Sequence, residues 1–194
     1  MTKHLLLFFF IICLQFACSN DNNPTNGSTP KLASQPAAYD YGNFSVEPVK
    51  FEGTQEQAIN QIKTTIDEIS ADRDEEGYLQ TTKIPQLIGQ FLGLMEQFPA
   101  NDAASRIGFD AAEVANTARD YENAARMYHQ LITAFPKSDR MGHARLRLGM
   151  VLDQKLNQKE AAKAVYRDFI ENFQGHPLVG TGEGLLYEIL QAEK

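Results

Sequence analysis

Cysteine is almost absent. The 194-residue chain holds two, Cys13 and Cys18, and none after position 18. That excludes a disulfide framework and thiol chemistry from the body of the protein. A membrane-spanning run is lacking too. The densest apolar stretch, Leu5 to Phe16, is twelve residues long, whereas a spanning helix needs ~20. Basic charge is scarce: 18 Lys and Arg stand against 25 Asp and Glu, for a net charge of −7. Binding a phosphate backbone requires a basic face, which argues against nucleic acid as a partner. The same scarcity removes polybasic attraction to anionic lipid. Catalytic arrangements are missing as well. There is no G-x-S-x-G nucleophile turn. His129, His143 and His176 have no helical i, i+4 His partner and no nearby cysteine, so zinc is not expected. His129 falls in a polar step of its helix and is expected to be solvated. No cofactor and no enzymatic activity are predicted.

What is present begins with a leader. Lys3 precedes the apolar run "LLLFFFIICLQF", which suits the hydrophobic region of a signal peptide. Ala17 and Cys18 follow. This stretch resembles a bacterial lipoprotein signal, in which cleavage occurs before the cysteine and the cysteine carries the lipid. That family usually has Leu three places before the cysteine; here Gln15 and Phe16 intervene and Leu14 lies one place early. The alternatives are an ordinary signal peptide leaving a free Cys18, or an uncleaved anchor. The resemblance implies residues 1–17 as signal peptide, Cys18 as the lipidation site, and export to a lipid-anchored position at the outer membrane facing the periplasm. Multiple acyl chains anchor stably where one does not. Loss of Lys3 takes the net charge of the remainder from −7 to −8.

Residues 18–52 form the expected linker. "SNDNNPTNGSTPKLASQPAA" has almost nothing to bury and predicts a flexible tether. After it, Tyr39, Tyr41, Phe44, Val46, Val49 and Phe51 alternate around Pro48, which predicts an extended segment lying on the domain.

Residues 53–194 are predicted to be all-α. Thr54 and Gln57 have capping-box spacing, and Ile59, Ile62, Ile66 and Ile69 recur on one helical face. Three later helices share one skeleton with steps of 4, 3 and 4: Leu87, Phe91, Leu94, Phe98; then Ala124, Tyr128, Leu131, Phe135; then Ala162, Tyr166, Phe169, Phe173. The copies are 37 and 38 residues apart, and each interval holds a second amphipathic helix. Helix pairs repeating at this length predict a stacked solenoid. Leu185, Leu186, Ile189 and Leu190 predict a last helix that caps it.

The segment "LRLGMVLDQKLNQKEAAKAVYRDFIENF", with Leu148-Gly149, Ala162, Tyr166 and Phe173, resembles a tetratricopeptide repeat. The preceding Ala111-Ala112, Ala124, Tyr128 and Phe135-Pro136 do likewise. The turn chemistry is similar to that of outer-membrane assembly and cell-envelope coordination lipoproteins. The resemblance implies an antiparallel helix-pair solenoid of two to three repeats plus the capping helix. It also implies a protein-binding groove lined by the first helix of each pair. Carried over on Ala112 and Gly149, the groove positions are Arg106, Phe109, Glu113 and Asn116, then His143, Leu146, Met150 and Asp153; for Phe109 and Leu146, helix packing is an equal alternative. The implied partners are other cell-envelope proteins, with the chain an adaptor or a subunit of a larger complex.

Three further features invite chemistry. "DRDEEGYLQTTK" places Asp72, Asp74, Glu76 and Gly77 as in a calcium loop, which requires about six to eight oxygen ligands and a bidentate Glu at the twelfth place. Lys83 stands there instead, so the choice is a weak calcium or ligand site or an acidic interhelical loop. Gly180, Gly182 and Gly184 lack the preceding strand and following Lys of a phosphate loop and predict a flexible turn. Arg140, His143, Arg145 and Arg147 form a basic cluster that could meet an acidic partner or be a solvated face.

Overall fold

The computed structural model describes residues 39–79 and 81–194. The expected leader and Cys18 lie outside the described residues, as does the polar stretch up to Ala38. Among the described residues seven helices follow one another: α1 Gln55–Ala71, α2 Ile84–Gln97, α3 Asp102–Thr117, α4 Tyr121–Ala134, α5 Met141–Gln154, α6 Lys159–Asn172 and α7 Val179–Ala192. Consecutive helices pack on one another, and α1 also packs on α3. The result is an all-α stack of antiparallel helix pairs, α1/α2, α3/α4 and α5/α6, with α7 at the end.

Local chemistry sets the helix starts. Thr54 and Gln57 close the expected capping box: the Gln57 amide donates to Thr54 Oγ1 at 3.3 Å, and the Thr54 amide donates to Gln57 Oε1 at 2.8 Å. Asn101 caps α3 by accepting from the Ala104 amide at 2.9 Å. Asp120 does the same for α4. Pro85 sits in the first turn of α2, where its missing N–H costs nothing. The repeated aromatic Phe98, Phe135 and Phe173 is in each case the C-cap of its helix.

The three skeletons form the core. Leu87, Phe91, Leu94, Ala124, Tyr128, Leu131, Ala162, Tyr166 and Phe169 are all buried. Small residues let the helices of a pair close up. A β-carbon on Gly149 would stand 2.3 Å from the Tyr166 ring. Burial of each large side chain stabilises by about 1.5–3 kcal/mol, so three in-register aromatic stripes hold the stack together. The turns α3–α4 and α5–α6 each contain a residue in left-handed conformation, Arg119 (φ 66°) and Asn157 (φ 54°). They lie at equivalent places in the two pairs.

One expectation changes. The glycine-rich stretch is no turn: Gly180, Gly182 and Gly184 belong to α7, which starts at Val179. Gly182 is buried, and a β-carbon there would stand 2.8 Å from the Phe169 ring, so the helix is pressed onto α6. Residues 39–52 lie on the domain as the extended segment expected there. The Val49 amide donates to Gly89 O at 2.8 Å, and the Phe51 amide to Gln97 Oε1 at 2.9 Å. Phe44 packs on Phe91, and Phe51 on Phe98. Gly89 and Gly93 make room for this strap: a β-carbon on Gly93 would stand 2.0 Å from Val49 O. The strap therefore lies across α2 and α4, the second helices of their pairs. No helix among the described residues is long and apolar enough to cross a membrane.

Candidate protein-binding surface

The first helices α1 and α3 run side by side in the same direction. Their N-terminal ends meet where Asn101 Nδ2 donates to Gln55 Oε1 at 2.5 Å. Beyond that contact an open cleft of about 460 Å³ lies between them. Its floor is aliphatic, from Ile59 and Ile66 of α1 and Ile107 and Val114 of α3. Its walls are charged, with Lys63 and Asp67 on one side and Arg106, Asp110 and Glu113 on the other. The isoleucine stripe of α1 thus splits. Ile62 and Ile69 are buried in the core, while Ile59 and Ile66, half-buried, turn to the cleft.

The eight positions carried over from the repeat resemblance divide into three sets, with His143 apart from them. Arg106 and Glu113 line the α1/α3 cleft. Asn116 and Met150 line a shallower depression between α3 and α5, beside Arg147. Phe109, Leu146 and Asp153 belong to neither as open surface: they are 7%, 4% and 7% exposed. Phe109 packs on Tyr128 with ring centroids 5.9 Å apart, and Asp153 is ion-paired with Lys159. For Phe109 and Leu146 this is the packing alternative that the sequence left open, and Asp153 is corrected from a groove residue to a packing residue, because the stripe facing the partner helix is wider than the landmark spacing assumed. His143 is exposed but engaged, its Nδ1 3.3 Å from His176 Nε2.

The basic cluster is largely consumed internally. Arg145 pairs with Asp168 at 2.6 Å, both nearly buried, and its guanidinium lies over Phe173. Arg147 pairs with Glu113 at 3.0 Å, and Arg140 sits over the Phe109 ring. His129 is not solvated as expected. It stacks against Tyr41 of the strap at 4.2 Å, and burial holds its pKa below the ordinary histidine value. Burial likewise raises the Tyr41 hydroxyl, with the nearby Tyr39 adding to it. Arg126 Nε donates to the Tyr41 carbonyl from the same helix.

The Asp72–Lys83 loop is folded on itself. Asp74 Oδ1 accepts from the Tyr78 amide at 2.7 Å, and Arg73 Nη1 donates to Gly77 O at 2.7 Å. Gly77 is left-handed, at φ 83°. Lys83, in the place of the last calcium ligand, reaches Glu68 at 3.0 Å. Asp72, Asp74 and Glu76 are not brought together as a ligand set. Among the described residues no three His, Cys, Asp or Glu side chains are grouped to hold a metal ion.

Residues 109–138 and 143–176 both match a family model, that of the tetratricopeptide repeat. The chain carries two tetratricopeptide repeats. The first match starts inside α3 and ends after α4; the second takes in α5, α6 and the turn as far as His176. Tetratricopeptide repeats are protein–protein interaction modules and typically non-enzymatic scaffolds. Most of the α1/α3 cleft lies before or at the edge of the first matched repeat. The periodicity of α1 could have exposed this earlier, since four isoleucines are more than one packing seam needs. The chain matches none of the curated proteins it was compared with.

Proposed function

We propose that this chain is a lipid-anchored adaptor or assembly subunit of the bacterial cell envelope, tethered through Cys18 at the outer membrane and facing the periplasm. The observation that carries the binding half of this reading is the pair of tetratricopeptide repeats, flanked by a first-helix cleft with an aliphatic floor. The anchoring half is supported by sequence: an apolar leader, a small residue before Cys18, and a polar stretch long enough to hold a domain off a bilayer. The strap supports a division of labour. It occupies the second-helix side and leaves the first-helix cleft open.

Photo-cross-linking in intact cells, with the photoreactive residue at Asn116 and, separately, at Ile66, tests the reading. Specific adducts to envelope proteins are expected. Mass spectrometry of the N-terminal peptide should show an acylated Cys18. An unmodified Cys18 removes the anchor, and absence of protein adducts from both positions removes the adaptor.

A further inference from the structure

The walls of the α1/α3 cleft carry their charges in a fixed order. On α1, Lys63 precedes Asp67 by four residues; on α3, Arg106 precedes Asp110 by four. Both helices run the same way from the Gln55–Asn101 contact. The cations therefore lie towards one mouth of the cleft and the carboxylates towards the other, where Glu113 follows on α3.

Helix stability does not account for this order. A base followed by an acid one turn later is the less favourable of the two i, i+4 orientations. Neither pair closes: among the described residues, Lys63–Asp67 and Arg106–Asp110 form no ion pair, and none crosses the cleft. Arg106 turns outward to Asp139 at 3.2 Å, and Glu113 is held by Arg147. Lys63, Asp67 and Asp110 remain exposed, without an ion-pair partner among the described residues, beside an aliphatic floor.

We infer that the α1/α3 cleft receives an amphipathic helix of a partner protein that seats aliphatic side chains on Ile59, Ile66 and Ile107 and sets an acidic residue against Lys63 and a basic residue against Asp67 and Asp110, one helical turn apart. The four-residue interval on both walls is about 6 Å of helix rise, the spacing a partner helix presents at i and i+4. The inference rests on the reading of the chain as a protein-binding module and names the chemistry of its partner. Buried aliphatic contact supplies the affinity, and the ordered charges supply orientation and discrimination.

The test is selection from a displayed library of helical peptides, randomised on one face, against the full-length chain held in detergent. Enriched peptides should carry Leu or Ile flanked by one acidic and one basic residue a turn apart. The affinity of a synthesised winner should fall at least ~10-fold on the double variant D67N/D110N. It should be unchanged on E183Q/E188Q, which alters two exposed acids of α7. No enrichment, winners indifferent to D67N/D110N, or uniformly basic winners weakened equally by E183Q/E188Q would overturn the inference. If cellular cross-links arise at Asn116 and not at Ile66, the adaptor reading stands and this cleft is not its site.

Discussion

Tyr128 and Tyr166 occupy the same position in successive helix pairs, both are fully buried, and only one has a partner for its hydroxyl. Tyr128 donates to Glu113 of the preceding helix. The position equivalent to Glu113 in the next pair is Met150, and the Tyr166 hydroxyl has no hydrogen-bond partner among the described residues. Burial raises both hydroxyls; the Glu113 charge adds to this for Tyr128, and Asp153 and Glu188 add to it for Tyr166.

The two tyrosines should respond differently to loss of that hydroxyl. Tyr128→Phe is expected to cost about 1–2 kcal/mol, because a charge-assisted bond is lost. Tyr166→Phe should be neutral or slightly stabilising, because it removes an unpaired buried polar group. Urea unfolding of both variants checks this, and an equal cost for the two would contradict the assignment.

Met150→Gln places an acceptor where the first repeat has one. A gain of up to about 1 kcal/mol is expected in the native background and none in the Tyr166→Phe background. The double-mutant cycle isolates the new bond from any change in helix propensity.

The strap depends on bare backbone in α2. Gly93→Ala gains roughly 1 kcal/mol of helix propensity, yet its β-carbon meets Val49 O at 2.0 Å. Net destabilisation of about 1–2 kcal/mol is expected, with faster proteolytic cleavage between residues 39 and 53. Gly184→Ala has nothing within 4 Å and should stabilise by about 0.5–1 kcal/mol. Differential scanning calorimetry and limited proteolysis separate the two outcomes.

Acid should loosen the far end of the stack. The Leu178 amide donates to His176 Nδ1 at 3.2 Å, so that nitrogen carries no proton. Nε2 then donates to His143 Nδ1 at 3.3 Å. Phe169 and Phe173 of α6 pack around the ring, and the Arg145 guanidinium lies beyond Phe173. Burial, and secondarily His143, lower the His176 pKa; burial lowers that of His129. A folded value below the unfolded one means that the contribution is complete above about pH 6.5 and is lost as pH falls below it. The Tm should drop by a few degrees between pH 7.5 and 5.5. The drop should be smaller in His129→Gln/His176→Asn; an identical slope would contradict it.

Much of the fold was legible because the repeats restate it. The 4, 3, 4 skeletons named the buried positions of α2, α4 and α6, and Thr54 and Gln57 named the start of α1. The extended alternation from Tyr39 announced a segment lying on the domain. Its seat was illegible, because Gly89 and Gly93 look like weak helix residues until a second strand of chain is seen against them. Asp153 was misplaced, and Phe109 and Leu146 were left open between groove and packing, for a related reason. A first helix contacts more than one neighbour, so its buried arc is broader than one seam, and spacing alone does not say where the arc ends. The charge order of the cleft was present in the letters, but it acquires meaning only once α1 and α3 are known to lie side by side. Gly180 to Gly184 read as a turn by composition, whereas they lie in α7, where Gly182 is pressed onto Phe169.

The strap has a mechanical consequence. A pull arriving from the residues before Tyr39 reaches the domain first at Tyr41, where the His129 stack and the Arg126 bond hold the chain, then at Val49 and Phe51 on α2. These attachments lie in series along the strap, so a pull loads them one after another. The domain can therefore take up slack by peeling some dozen residues while its first-helix cleft keeps its shape.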